Sequence, residues 1–298
     1  MLKVSNVTKY YDDFPAVQDL SFTVDKGEIF GLLGVNGAGK TTTFRMIMGL
    51  LSKTKGEITL NGKPINYDIT DKIGFLSEER SLIPSMKVSE QIEYYGKLKG
   101  VKKKDIDKRL NYYLDRFNIK DYKDKVIKEL SKGNQQKIQF ISALINDPIL
   151  LILDEPFNGL DPINIELFKS VILEMKEKGR MIIFSTHRMD HAEFFCDKLV
   201  ILVKGKSVLE GYLKDIKTEY RKKNIIVTGD IKKTKIRSIK GVESIESSGE
   251  DYIIKVSDDS VISKVFSSIS DSKNITKFIV EEPSLNEIFL SKVGEYYE

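Results

Sequence analysis

Apolar and polar residues alternate over residues 2–7 and 20–24, where Leu20, Phe22 and Val24 interleave with Ser21 and Thr23. A side-chain period of two predicts antiparallel strands joined by a loop holding Tyr10, Tyr11, Asp12 and Asp13. Unbroken apolar runs at residues 29–33, 149–153 and 181–184 predict short buried strands. Further strands are expected at 56–62, ending in an Asn61-Gly62 turn, at 73–77, and in a hairpin of 198–203 and 206–210 turning at Lys204-Gly205. Between these, the spacing becomes helical. Apolar residues recur at Ile92, Tyr95 and Leu98, then at Ile106, Leu110, Leu114 and Phe117, so 88–118 and 123–130 are read as a helical insert. The lysines at 102–104 read as a solvated turn within it. Ile138, Ile141, Leu144 and Ile145 stripe another helix, and about 15 helical residues follow Pro162. Strands alternating with helices predict an α/β core.

The rhythm changes after the polar stretch KDIKTEYRKK at 214–223. Strands are expected at 224–228, 242–246, 252–256 and 275–280, with helices at 231–239 and 261–269. That β-α-β-β-α-β order is the split, ferredoxin-like one. A closing amphipathic helix starts at Ser284 and carries Leu285, Ile288, Phe289 and Val293 on one face. Two domains follow, 1–215 with a helical subdomain at about 84–148, and an α+β domain at 216–298. The second holds no catalytic constellation.

Composition adds exclusions. The 298 residues include 48 basic and 44 acidic side chains, and the net charge of +4 is too mild to argue for a nucleic-acid partner. The single Cys196 precludes an internal disulfide and fits a reducing cytosol. The first residues show no signal-peptide pattern, and the apolar runs are too short to span a membrane. A membrane role is expected to come through a partner.

The candidate chemistry begins at Gly34-x4-Gly39-Lys40-Thr41, which stands between a buried strand and a helix. This is the P-loop pattern in its required setting. The backbone N–H groups of Gly34, Val35, Asn36, Gly37, Ala38 and Gly39 would face one concave spot, with the positive end of the following helix behind them. Lys40 would reach the β- and γ-phosphates, Thr41 would hold Mg²⁺, and Thr42 would donate to the α-phosphate. An aromatic at Tyr10 or Tyr11 could stack on a nucleobase, or could pack on a sheet edge. The strand at 149–153 delivers Asp154 and Glu155, whose alternating directions suit one to a cation and the other to a water. Glu78, Glu79 and Arg80 form a charged loop at another strand end, where ligands sit in open α/β sheets. Ser131 reads as an N-cap, which an ordinary helix also explains. His187 follows the strand at 181–184, and a lone loop His is often incidental.

With Lys40, LSKGN at 130–134, LILDEP at 151–156, NGLD at 158–161 and Thr186-His187 in order, the chain resembles an ATP-binding subunit of an ABC transporter over residues 1–215. The resemblance implies a P-loop NTPase core with antiparallel β and helical subdomains. It implies that Tyr11 stacks on adenine, that Glu78 lies in the Q-loop, and that Asp161 lies in the D-loop. Ser131 and Gly133 belong to the signature, Asp154 joins Thr41 and Glu78 at Mg²⁺, and Glu155 and His187 are catalytic. ATP and Mg²⁺ are the implied cofactors. Two subunits, alike or different, would pair head to tail and drive an integral membrane permease from the cytoplasmic face. The stretches IGFLSEERSLIPSMKVSEQIEYYGKLKG and PSLNEIFLSKVG resemble, more narrowly, the sodium-export-like ABC-2-type exporter ATPases, which often carry an appended C-terminal domain. Three positions depart from the wider family: Glu78 stands for Gln, Lys132 for a signature Gly, and Asn134 for the signature Gln. Soluble relatives in DNA repair or translation would need long coiled coils or two cassettes, and the insert here is compact.

Overall fold

The structure is a computed structural model and describes residues 1–79, 81–220, 222–270, 272 and 274–297. Arg80 of the charged loop and Arg221 of the polar stretch lie outside the described residues. The chain divides into two compact units, Met1–Glu210 and Gly211–Glu298. Among the described residues, no helix is long and apolar enough to cross a membrane.

In the first unit, β1 (Leu2–Tyr11) and β2 (Phe14–Val24) form an antiparallel hairpin, extended by β4 (Lys55–Leu60) and β5 (Lys63–Pro64) in the order β2-β1-β4-β5. The strands outrun the alternating segments at 2–7 and 20–24. They pair as far as Tyr11 opposite Phe14, so the expected loop shrinks to a tight turn. Asp12 takes φ 51° there, a conformation that Asp tolerates.

A second sheet has the order β10-β9-β3-β8-β7-β6. Its strands are β3 (Ile29–Leu33), β6 (Ile73–Leu76), β7 (Leu150–Asp154), β8 (Met181–Thr186), β9 (Lys198–Val203) and β10 (Lys206–Tyr212). The pairs β3–β8, β3–β9, β7–β8 and β6–β7 are parallel. Every residue of β3, β7 and β8 is buried, which explains their unbroken apolar runs. Flanking helices are α1 (Lys40–Ile47), α2 (Tyr67–Thr70), α6 (Pro162–Glu177) and α7 (Met189–Phe195). One core joins both sheets. Phe22 stacks on Phe30 at 4.4 Å between centroids, beside Leu32, Phe44, Ile152 and Ile183.

The insert contains α3 (Val88–Leu98), α4 (Lys103–Arg116) and α5 (Lys132–Leu144). Phe117, Phe140 and Phe168 cluster their rings beneath it at 4.7–5.8 Å. Two expectations are corrected. Residues 123–130 form no α-helix and contain only a 3₁₀ turn at Ile127–Glu129. The carbonyls of Lys123 and Lys125 instead accept from Ser89 and Val88 N–H, so this segment caps the start of α3. Lys102–Lys104 are not simply a turn either. Lys102 is the N-cap of α4 and the next two lysines open it. Lys103 there pairs with Glu93 of α3 at 2.5 Å, and this contact first, with Lys97, lowers the Glu93 carboxyl to about 2.

The second unit holds α8 (Leu213–Glu219), β11 (Lys223–Thr228), α9 (Lys233–Arg237), β12 (Val242–Ser248), β13 (Asp251–Val256), α10 (Ser260–Ile269), β14 (Lys277–Glu281) and α11 (Leu285–Tyr297). Its sheet runs β12-β13-β11-β14 with every pair antiparallel, compatible with the expected ferredoxin-like order. Ile225, Val227, Ile254 and Val256 meet Val261, Val265 and Ile269 in a separate core. Glu287 ties α11 to the sheet, accepting from Asn224 at 2.8 Å and pairing with Lys255 at 3.2 Å.

Candidate active site

Four parallel strands, β3, β8, β7 and β6, end on one edge of the sheet, and their loops meet there. Gly34 follows β3 with φ +148°, and an added Cβ would lie 2.5 Å from the Leu202 carbonyl oxygen. Gly39 closes the loop at φ +107°, with the Ala16 oxygen 2.6 Å from where a Cβ would sit. Only Gly suits both positions. Helix α1 then begins without a side-chain cap and without an acidic residue in its first turn. Its free N–H groups therefore suit an external anion.

Lys40 is 7% exposed and folds back, its Nζ donating to the Gly34 oxygen at 2.7 Å and the Val35 oxygen at 3.2 Å. Burial pushes its ammonium below the ordinary value, against the pull of Glu155, Asp154 and Glu78. Thr41 Oγ1 donates to Asp154 Oδ2 at 3.3 Å, while Ser185 Oγ donates to Asp154 Oδ1 at 2.5 Å. Burial raises the Asp154 carboxyl despite those two bonds. Thr41 and Asp154 thus offer only oxygen donors. Among the described residues there is no group of three or more His, Cys, Asp or Glu that could hold a metal ion alone. Oxygens from one carboxylate and one hydroxyl fit Mg²⁺, which typically takes its remaining positions from phosphates and water.

Glu155 is 7% exposed and takes φ 47°, unusual for a non-glycine. Its N–H donates to Ser185 Oγ at 3.1 Å. Its Oε1 accepts from the His187 N–H at 2.8 Å and lies 2.8 Å from His187 Nδ1. Across the edge, Asn158 Nδ2 donates to Glu78 Oε1 at 3.4 Å.

A cavity of about 380 Å³ opens here. Tyr11, Phe14 and Ala16 line it from the hairpin, Asn36, Gly37, Gly39, Lys40, Thr41 and Thr42 from the P-loop segment, and Glu78, Asp154 and Glu155 from the strand ends. Gly34, Val35 and Ala38 shape the loop behind this wall, and His187 reaches it through Glu155. Ser131 and Gly133 are not among the lining residues. Ser131 caps α5, its Oγ accepting from Asn134 N–H at 3.3 Å. Asp161 caps α6 in the same way, at 2.9 Å from Asn164 N.

Three contributors carry no motif in the sequence. Phe14 lies outside the alternating segments 2–7 and 20–24, although pairing with Tyr11 brings it to the cavity. Ser185, at the end of β8, belongs to no motif, yet its hydroxyl holds Asp154 and the Glu155 N–H. Gln139 sits in the helix striped by Ile138 and Ile141, where its spacing carries no signal, yet its Nε2 reaches three oxygens of Ser77 and Glu79. Partners 30 to 62 residues away leave no local signal.

Comparison with known proteins supplies the family. Residues 17–158 match the ABC transporter family, and residues 211–293 match the C-terminal domain of DrrA1-3-like ATP-binding proteins. The chain is 48% identical over 298 residues, all of both chains, to the uncharacterized ABC transporter ATP-binding protein YhaQ of Bacillus subtilis. It is 32% identical to Nod factor export ATP-binding protein I of Rhizobium etli, over 99% of this chain and 93% of that one. Among solved structures, an ATP-binding subunit of an ABC transporter matches 74% of this chain and 93% of its own with TM-score 0.70 and 32% identity. A dimeric ATP-binding cassette in a post-hydrolysis state with ADP and Pi matches 72% of this chain and 99% of its own, with TM-score 0.66 and 26% identity. The chain belongs to the ATP-binding proteins of ABC transporters, the ATPase subunits that power transport.

Proposed function

We propose that this chain drives an ABC-2-type exporter, with the cavity at the sheet edge as its MgATP site. The convergence of Lys40, Thr41, Asp154 and Glu155 carries this reading. The P-loop N–H groups from Gly34 to Gly39 and the start of α1 cradle phosphate. Lys40 exchanges its two carbonyl contacts for phosphate oxygens, and Thr42 donates beside it. Tyr11 and Phe14 offer aromatic faces to adenine; Lys9 already stands 5.2 Å above the Tyr11 ring. Thr41, Asp154 and Glu78 would hold Mg²⁺, which when bound would neutralise phosphate charge. Glu155 holds and deprotonates the attacking water, with its carboxylate oriented by His187. The left-handed backbone at Glu155 is a strained position of the kind that clusters at functional sites.

One chain leaves the site half-built, because Ser131 and Gly133 do not reach this cavity. A second subunit, alike or different, brings its own signature helix to the γ-phosphate, and ATP joins the two. A membrane permease is the coupled partner. Two apolar-lined hollows containing Phe75, Ile73 and Lys99 lie next to the strand that leads into Glu78, and they suit its docking. The chain then works at the cytoplasmic face of the membrane. The similarity to a Nod factor export protein supports the outward direction. Residues 211–298 form an accessory domain that steadies or regulates the pair.

Lys40→Ala tests the site. Its fold should persist, since the ammonium packs little of the core, and MgATP affinity should fall at least about 100-fold, or some 2.7 kcal/mol. Unchanged affinity at matched stability would refute the P-loop reading.

A further inference from the structure

We propose that Gln139, in the middle of α5, is a positioning residue that aims Glu78 at the nucleotide and links that aim to the signature end of its own helix. This rests on the reading of Glu78 as part of the MgATP site. Gln139 is 4% exposed. Its Nε2 donates to the Ser77 oxygen at 2.9 Å, Ser77 Oγ at 3.1 Å and the Glu79 oxygen at 2.9 Å. Ser77 Oγ in turn donates to the Glu79 oxygen at 2.7 Å. One amide thus grips the backbone on both sides of Glu78. An amide nitrogen has two hydrogens, so three acceptors oversubscribe it and leave little slack.

The same helix makes a second link. Gln136 Nε2 donates to the Pro156 oxygen at 2.9 Å, one residue beyond Glu155. Helix α5 is capped by Ser131, carries Gly133 in its first turn, and through Gln136 and Gln139 holds both strand ends that carry the carboxylates. Helix α3 steadies the outer part of the loop, where Tyr95 OH donates to the Ser81 oxygen at 2.8 Å and Gln91 Oε1 accepts from Ile83 N–H at 2.7 Å. A displacement of the signature end would therefore be felt at Glu78 through Gln139. An apolar side chain would fill the same space at lower desolvation cost, so packing alone does not account for an amide here.

The test is a double-mutant cycle on the full chain. Gln139→Met keeps the volume and removes the donor. Its kcat for ATP hydrolysis should fall about tenfold, with KM changed by less than about threefold. Glu78→Ala should lower kcat further, and adding Gln139→Met to it should cost nothing more, because the residue acts through Glu78. Normal kcat in Gln139→Met, or an equal loss with and without Glu78, would overturn the proposal. Normal kcat in Glu78→Ala would instead remove the underlying reading of Glu78, and this inference with it. Gln139→Glu carries the test if the Met variant does not fold. The buried carboxyl donates only when protonated, so its kcat relative to wild type should rise at least about threefold from pH 8 to pH 6. A flat ratio would overturn the proposal.

Discussion

Asp154 and Lys40 carry charges that their surroundings oppose. Burial raises the Asp154 carboxyl and lowers the Lys40 ammonium. A raised carboxyl contributes stability below its ordinary value of 3.8, and that contribution is lost as pH rises through the raised value. A lowered ammonium contributes stability above 10.5 and loses it as pH falls through the lowered value. At neutral pH both groups therefore hold the protein below its stability optimum, and the phosphate and cation proposed for this site would relieve that tension. Asp154→Asn should raise the nucleotide-free Tm by about 2–4 °C while abolishing hydrolysis. Its stability advantage over wild type should shrink as pH is lowered through the Asp154 titration. A lower Tm, or an advantage independent of pH, would contradict this. Phe14 offers a second check. It is 65% exposed, so Phe14→Ala should leave Tm nearly unchanged and raise KM for ATP about three- to tenfold, the range of one lost aromatic contact. An unchanged KM would leave Tyr11 as the sole aromatic contact. Lys40, Thr41, Asp154 and Glu155 were legible in the sequence because their chemistry lies in contiguous runs. Phe14 and Gln139 were not, because only the folded register brings them to Tyr11 and Ser77.

At the scale of elements, periodicity worked where one face is buried and failed where hydrogen bonds decide. Strands β3, β7 and β8 are apolar throughout because both their faces are covered. The stretch 123–130 has apolar residues at suggestive spacing, yet the carbonyls of Lys123 and Lys125 are used to cap α3, so it is built of turns, an isolated bridge at Val126 and a 3₁₀ turn rather than an α-helix. Lys102–Lys104 look like a solvated turn in the sequence, whereas they cap and open α4 and Lys103 pairs with Glu93 of α3. Helix α5 stands on Phe140, fully buried against Phe117 and Phe168. Phe140→Ala should cost about 3–5 kcal/mol, read as a fall in the urea midpoint at constant slope. A loss under about 1 kcal/mol would mean that the ring cluster does not support the helix.

At the scale of the whole molecule, each unit has its own core, one around Phe22, Phe30 and Phe44, the other around Ile225, Ile254 and Val265. A chain ending at Tyr220 keeps β10 and α8 and should fold and bind MgATP within a few-fold of the full chain. Failure to fold would show that the first unit needs the residues after Tyr220 to complete its core. The polar stretch at 214–223 and the change of rhythm after it suggest a boundary near residue 215, whereas the division between the two compact units falls after Glu210, within β10. The proposed second subunit is suggested in one chain by Ser131 and Gly133, which do not line the cavity.

Light scattering after size exclusion shows whether ATP pairs two subunits. Glu155→Gln keeps the shape of the side chain and removes the base, so bound ATP is not consumed. With saturating ATP this variant should run as a dimer, and without ATP as a monomer. Ser131→Arg in the same background should return it to monomer, because the larger side chain blocks the approach of the signature helix to phosphate. A monomer in Glu155→Gln at saturating ATP, or a dimer indifferent to both ATP and Ser131→Arg, would contradict the account.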